Sequence, residues 1–336
     1  MNHKTFTYEQ EFPLQFGGLL PQLELSYSTL GTLNTHRDNV IWVCHALTAN
    51  SDVSDWWSGL VGKGKLYDPE KHFIISVNVL GSHYGSTGPL SVNPKTGKPY
   101  YGSFPKTSIR DIVRSLILLR KELGIEKINT LIGGSIGGQQ ALEWSIIEPE
   151  IVENLVVIAS NAKHSPWGIA FNETQRLAIA TDHTWGQEDA EAGIQGMKTA
   201  RAIALLSYRN YKTYQATQEG RSESGALKAS AYQQYQGEKL AKRFNAYSYW
   251  TLSVAMDNHD VSEGRESLQD ALGSIKAKAL VVGLSSDILF PVEESKFVAG
   301  HINEGTYVEI DSLYGHDGFL IETPALTEVI SKHFNQ

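Results

Sequence analysis

Two hydrophobic rhythms alternate along this chain, short apolar runs and longer stretches with helical spacing. Residues 40–44, 73–79 and 155–159 are dominated by apolar side chains, as expected of strands covered on both faces in the middle of a parallel sheet. Residues 23–31 instead alternate apolar with polar positions, which suits a half-exposed strand at a sheet edge. Between these runs, Ile109, Ile112, Val113, Leu116, Ile117 and Leu123 fall on one face of a helix, with Ser108 standing as its N-cap. Strands alternating with helices predict a doubly wound α/β sheet.

From about Pro166 to Gly264 the strand signals stop. Residues 171–182, 196–208 and 238–257 read as helices, after which alternation resumes with a strand at 279–283, a helix near 293–299, a strand at 307–310 and a final helix from Gly318. The pattern predicts a core made of residues 1–165 and 265–336, interrupted by an inserted helical cap at 166–264. A chain of 336 residues is long enough for that division.

Composition narrows the classes of function. Hydrophobic residues at 41% and charged residues at 20% are ordinary for a soluble enzyme. A formal net charge of −8 gives no electrostatic footprint for nucleic acid or an anionic membrane, and neither is expected as a partner. The lone Cys44 rules out an intrachain disulfide and reads as a small core residue rather than a nucleophile. The polar first ten residues lack a signal-peptide core, and no run approaches the ~20 apolar residues of a spanning helix, so a cytoplasmic protein is expected. No resident metal is expected.

Chemistry enters at residues 131–142, where an apolar strand runs into Gly133-Gly134-Ser135-Ile136-Gly137-Gly138 and a helix follows. A G-x-S-x-G turn between strand and helix lifts one hydroxyl onto a strained elbow. Serine needs a base to take its proton, and the base needs a third group to orient it. In this architecture both partners come later in the chain, acid before histidine. Asp287 follows the run ending at Gly283, and His316 follows the strand ending near Ile310. Asp287 also suits a turn before Pro291, and His316 is one of eleven histidines, so order and placement carry the assignment rather than either residue alone. An oxyanion hole needs two backbone N–H groups. Ile136 supplies one, and the loop after residues 40–44 supplies Leu47 as the candidate for the other. His45 in that loop reads as a buried, satisfied histidine. Residues 59–65 have P-loop glycine spacing, but Leu66 replaces the required Ser or Thr.

The chain resembles the homoserine O-acetyltransferase family of the α/β-hydrolase superfamily over roughly residues 10–330. The likeness rests on His45-Ala46-Leu47-Thr48, on residues 85–94 and 133–144, on Phe171-Asn172 with Arg176, on Ala200-Arg201 and Ser207-Tyr208-Arg209, and on residues 314–320. It implies an α/β-hydrolase fold and ping-pong transfer of an acetyl group from acetyl-CoA, the co-substrate, to the side-chain hydroxyl of L-homoserine in methionine biosynthesis. No permanently bound cofactor is implied. Ser135 would be the nucleophile, His316 the base and Asp287 its orienting acid. Arg201 matches the arginine that binds the amino acid's carboxylate, and Asp317 the position that holds its ammonium group. A homodimer through the cap helices is implied too. Ile136 replaces the usual methionine, and residues 81–84 replace a Gly-Gly-Cys-type run. Alternatives with the same fold are a succinyl donor, serine as acceptor, or a plain esterase.

Overall fold

The computed structural model describes residues 2–335. The chain starts with β1 (Asn2–Tyr8), a hairpin of β2 (Phe12–Pro13) and β3 (Leu19–Leu20), then β4 (Leu23–Leu30) and β5 (Val40–Cys44). The short α1 (Val53–Trp56) leads to β6 (Phe73–Val77), followed by α2 (Ile109–Glu122), β7 (Ile128–Gly134), α3 (Ile136–Ile147) and β8 (Val152–Ile158). Five helices come next: α4 (Pro166–Ala180), α5 (Ile194–Tyr208), α6 (Tyr211–Gln218), α7 (Lys228–Ala241) and α8 (Ala246–Asp257). They give way to α9 (Leu268–Gly273), β9 (Lys278–Leu284), α10 (Val292–His301), β10 (Gly305–Ile310), α11 (Gly318–Ile321) and α12 (Thr323–Phe334).

Eight strands form one sheet in the order β1-β4-β6-β5-β7-β8-β9-β10. β4 runs antiparallel to both β1 and β6, and every pairing from β6 to β10 is parallel. Every residue of β5 is buried, as an unbroken apolar run in a helix-covered sheet requires. Helices on the two faces close two cores. Trp42 of β5 meets Trp144 of α3 edge-on at 4.8 Å in one of them, and Trp57 meets Phe319 at 6.4 Å in the other. Ser108 caps α2 in a full capping box with Asp111.

Three expectations need correction. β4 is not an edge strand, because β1 pairs along its whole length. Alternation along β4 reports one solvated face, not an unpaired backbone, and β1 itself is too polar and exposed to announce a strand. Residues 238–257 are not one helix: α7 stops at Ala241, and Asn245 caps the start of α8 by accepting the Ser248 N–H at 2.8 Å. The helix from Gly318 is likewise two, α11 and α12, with Pro324 in the first turn of the second, where its missing N–H is harmless. α6 escaped the sequence reading because it is short and mostly exposed.

Candidate active site

Ser135 sits at the junction of β7 and α3 with φ +58° and ψ −129°, a conformation costly for a residue with a β-carbon. Its surroundings hold it there. The Ser135 N–H donates to the Ile158 carbonyl at 3.0 Å, while its own carbonyl accepts from Ser160 Oγ at 2.8 Å and the Gly138 N–H at 2.9 Å. The glycines permit the crowding: a β-carbon on Gly133 would lie 2.2 Å from the Gly137 carbonyl oxygen, and one on Gly137 would lie 2.2 Å from that of Cys44. The elbow helix thus packs directly on the end of β5.

His316 lies in a 3₁₀ turn, Gly315–Asp317, beyond β10. Its Nδ1 is 2.7 Å from Asp287 Oδ2, and both side chains are buried. Asp287 Oδ1 accepts from the Leu289 and Phe290 N–H groups at 2.8 and 3.0 Å. Asp287 thus caps the turn with one oxygen and meets the His316 ring with the other. With Nδ1 at Asp287, Nε2 is the ring nitrogen left uncommitted, in the cavity that Ser135 also lines. The rings of Phe290, Phe319 and Tyr208 surround the imidazole at 5.1, 5.4 and 5.5 Å. Ser286 Oγ accepts the Gly315 N–H at 3.0 Å, tying the aspartate loop to the histidine loop.

Leu47 follows β5 and lines the same cavity as Ser135 and His316, a space of about 370 Å³. Ile136 is the first residue of α3, so its N–H has no acceptor within the helix. The Leu47 N–H shares a peptide plane with the Ala46 carbonyl, which points the opposite way. That carbonyl accepts the Ala49 N–H at 3.0 Å and lies 2.8 Å from His45 Nδ1. His45 Nε2 accepts the Val79 N–H at 3.1 Å, which leaves the ring proton on Nδ1 as a donor. Burial pushes the His45 pKa down to about 4, keeping the ring neutral at pH 7. His45 is the satisfied loop histidine expected, and it also orients the Leu47 peptide. Cys44 is a buried core residue whose thiol burial pushes up, away from thiolate chemistry.

Arg201 on α5 and Asp317 line the cavity with Ser135. Arg201 lies over the Tyr208 ring at 5.3 Å and has no carboxylate within ion-pair distance among the described residues. Asp317 has a partner already: Arg209 Nε stands 2.8 Å from Oδ2, but its N–H is not aimed at the carboxylate and finds no hydrogen-bond partner. Burial raises the Asp317 pKa against the pull of Arg209, Arg201 and His316. Sequence reasoning missed Arg209 as its neighbour, and also missed Tyr208, Lys239 and Arg243 on the cavity wall. Arg209 and Tyr208 lie within the quoted 207–209 run, so position alone could have flagged them. It missed Glu294 too, a carboxyl that burial pushes up to about 6 and that accepts from Asn161 Nδ2 at 2.9 Å beside Asp287. Asn172, in a glycosylation-like sequence, is buried and bonded to Asp257 at 2.8 Å. No cluster of metal-binding side chains occurs among the described residues.

Residues 39–323 match the family described as alpha/beta hydrolase fold. A homoserine O-acetyltransferase of Cyclobacterium marinum is 51% identical over 335 residues, spanning 99% of this chain and 95% of its own. A solved homoserine O-acetyltransferase from Bacillus anthracis superposes with a TM-score of 0.92 at 25% identity, covering 100% of this chain and 98% of its own. The solved esterase E22 superposes with a TM-score of 0.89 at 24% identity, covering 99% of each chain, a likeness of fold alone.

Proposed function

Because the chain belongs to the homoserine O-acetyltransferase family of the α/β-hydrolase fold, we propose that its cavity moves an acetyl group from acetyl-CoA to L-homoserine through an acetyl-Ser135 intermediate. The observation that carries the residue assignment is one cavity holding Ser135, His316, Arg201 and Asp317 together. Ser135 Oγ attacks the thioester carbonyl and gives its proton to His316 Nε2. The oxyanion is met by the Leu47 and Ile136 N–H groups. Collapse breaks the C–S bond, and His316 returns the proton to the departing thiol of CoA. Homoserine then enters with its carboxylate on Arg201 and its ammonium group near Asp317. Its hydroxyl yields a proton to His316 and attacks the acyl carbon. The second intermediate expels Ser135, which recovers the proton, and O-acetylhomoserine leaves.

Arg201 suits a carboxylate because its planar fork is uncommitted to any acid. Transfer requires acetyl-Ser135 to resist water until homoserine arrives and then to react with it far faster than with water, and that partition distinguishes transfer from the esterase reading. In this account residues 166–264 act as a cap on a core of residues 1–165 and 265–336. Exposed apolar side chains on that cap, among them Leu177, Leu206, Tyr211 and Tyr235, support a homodimer formed through it. No helix among the described residues is long and apolar enough to cross a membrane, and a cytoplasmic site of action fits a donor as polar as acetyl-CoA. The test is a panel: CoA release from acetyl-CoA and succinyl-CoA, each with homoserine, serine or water as acceptor. Fast release with acetyl-CoA and homoserine alone is expected. Release at the same rate with water as the only acceptor overturns the transferase reading in favour of an esterase.

A further inference from the structure

Arg243 lies in the break between α7 and α8, and its guanidinium reaches across to the loop that follows β5. Nη1 donates to the Thr48 carbonyl and, at 2.6 Å, to the Tyr84 hydroxyl, while Nη2 stands 3.3 Å from Thr48 Oγ1. The Tyr84 hydroxyl donates onward to the same Thr48 carbonyl at 3.3 Å. One carbonyl is thus held by two side chains from two separate segments. The peptide joining Thr48 to Ala49 is planar, with its carbonyl and N–H pointing in opposite directions. Gripping the Thr48 oxygen therefore aims the Ala49 N–H, which donates to the Ala46 carbonyl at 3.0 Å. The Ala46 oxygen belongs in turn to the plane that carries the Leu47 N–H. Two rigid plates in series connect Arg243 to the oxyanion donor.

We propose that Arg243 and Tyr84 are positioning residues for acyl transfer, holding the Leu47 N–H on the developing oxyanion through these two peptide planes. The proposal rests on the acyl-transfer reading of the cavity given above. The planar fork of arginine matters here, because one side chain must serve a carbonyl, a phenol and a hydroxyl at once. Burial raises the Tyr84 phenol, so it stays protonated and able to donate. Its ring is steadied at 5.7 Å from Phe244, the residue after Arg243. Tyr84 also falls in residues 81–84, where the sequence departs from the family pattern. The brace has a functional corollary: the break between two cap helices sets the rate of the chemical step, whereas Arg201 sets the affinity for the acceptor.

Arg243→Met, Arg243→Lys, Tyr84→Phe and the Arg243→Met/Tyr84→Phe pair are to be compared with wild type, using two donors. Acetyl-CoA carries phosphates; S-acetyl-N-acetylcysteamine carries none. The brace predicts that Arg243→Met lowers kcat about 10-fold with both donors, less than outright loss of an oxyanion donor, with KM for homoserine and for either donor within twofold. Tyr84→Phe, which removes only one hydroxyl and leaves the fold intact, should cost a few-fold in kcat. Arg243→Lys should recover part of the loss. The paired variant should fall short of the product of the single effects, because both side chains hold one carbonyl. A kcat within twofold of wild type in Arg243→Met overturns the proposal. So does a loss confined to KM for acetyl-CoA, which would make Arg243 a phosphate contact. A wild-type protein that fails to transfer from acetyl-CoA to homoserine in the same assay refutes the underlying reading instead.

Discussion

The cavity is built by two regions under different rules. The sheet contributes Leu47, Ser135 and His316 to the cavity wall and Asp287 behind His316, each on a turn just past the C-terminal end of a parallel strand. The helices between β8 and β9 contribute Arg201, Tyr208, Lys239 and the Arg243 beside them. Strand ends are fixed by ladders of hydrogen bonds, so they place backbone donors and short side chains to fractions of an ångström. Helix faces present long side chains whose reach is adjustable. On the proposed mechanism the contrast separates bond-making groups, which tolerate little displacement, from Arg201, which selects the acceptor, with Arg243 reaching from the helical side to brace the first set.

That division predicts graded effects. Ser135→Ala removes the nucleophile and should lower transfer by as much as about 10⁶-fold; turnover near the wild-type rate would place the nucleophile elsewhere. Asp287→Asn keeps the shape but weakens the hold on His316 Nδ1, and kcat should fall by about 10⁴-fold. A fall in kcat of less than tenfold would reduce Asp287 to its turn role. Arg201→Ala, from the helical side, should raise KM for homoserine about 10- to 100-fold, the worth of a charge-assisted hydrogen bond, with the first half-reaction near normal. Equal loss in both half-reactions would erase the distinction between the two regions.

A smaller effect reads the stability of the buried polar layer behind the site. Burial lowers His45 and His259 to about 4 and His164 to about 3. Between those values and the usual ~6.5 the unfolded chain binds more protons than the folded one, so stability rises with pH across that window. Glu294, raised to about 6, acts the other way: it favours the fold at low pH, and its contribution is lost as pH rises through about 6. Burial raises Asp111, Asp257 and Asp317 in the same sense as Glu294 and lowers His72, His83 and His333 with the other rings, so six histidines outweigh four carboxyls. Urea unfolding should give a lower midpoint at pH 5 than at pH 7.5, and the reverse order would mean that these rings are charged in the folded protein.

Legibility in the sequence divides along the same line. β5 stands out because burial on both faces leaves only apolar choices, and the Ser135 elbow stands out because close backbone contact at Gly133 and Gly137 leaves only glycine. Asp287 and His316 could be named because this topology puts loops there. Family likeness, not pattern, pointed to Arg201 and Asp317; hydrophobic spacing says nothing about which polar residue of a helix turns inward. The Arg209 partner of Asp317 and the Arg243 grip on Thr48 join residues far apart in sequence through long side chains, and no local period encodes such a contact. The break at residues 242–245 was invisible because helical spacing continues across it, and only the Asn245 cap marks the restart.

The central claim is that Ser135 holds the acetyl group between two half-reactions. The most direct measurement is mass spectrometry of the protein mixed with acetyl-CoA and no acceptor, followed by peptide mapping and a chase with homoserine. The account predicts one acetyl group per chain, located on Ser135, with one equivalent of CoA released, and rapid discharge to O-acetylhomoserine on the chase. CoA release that depends on homoserine, with no acetyl group on Ser135 before the chase, would contradict it.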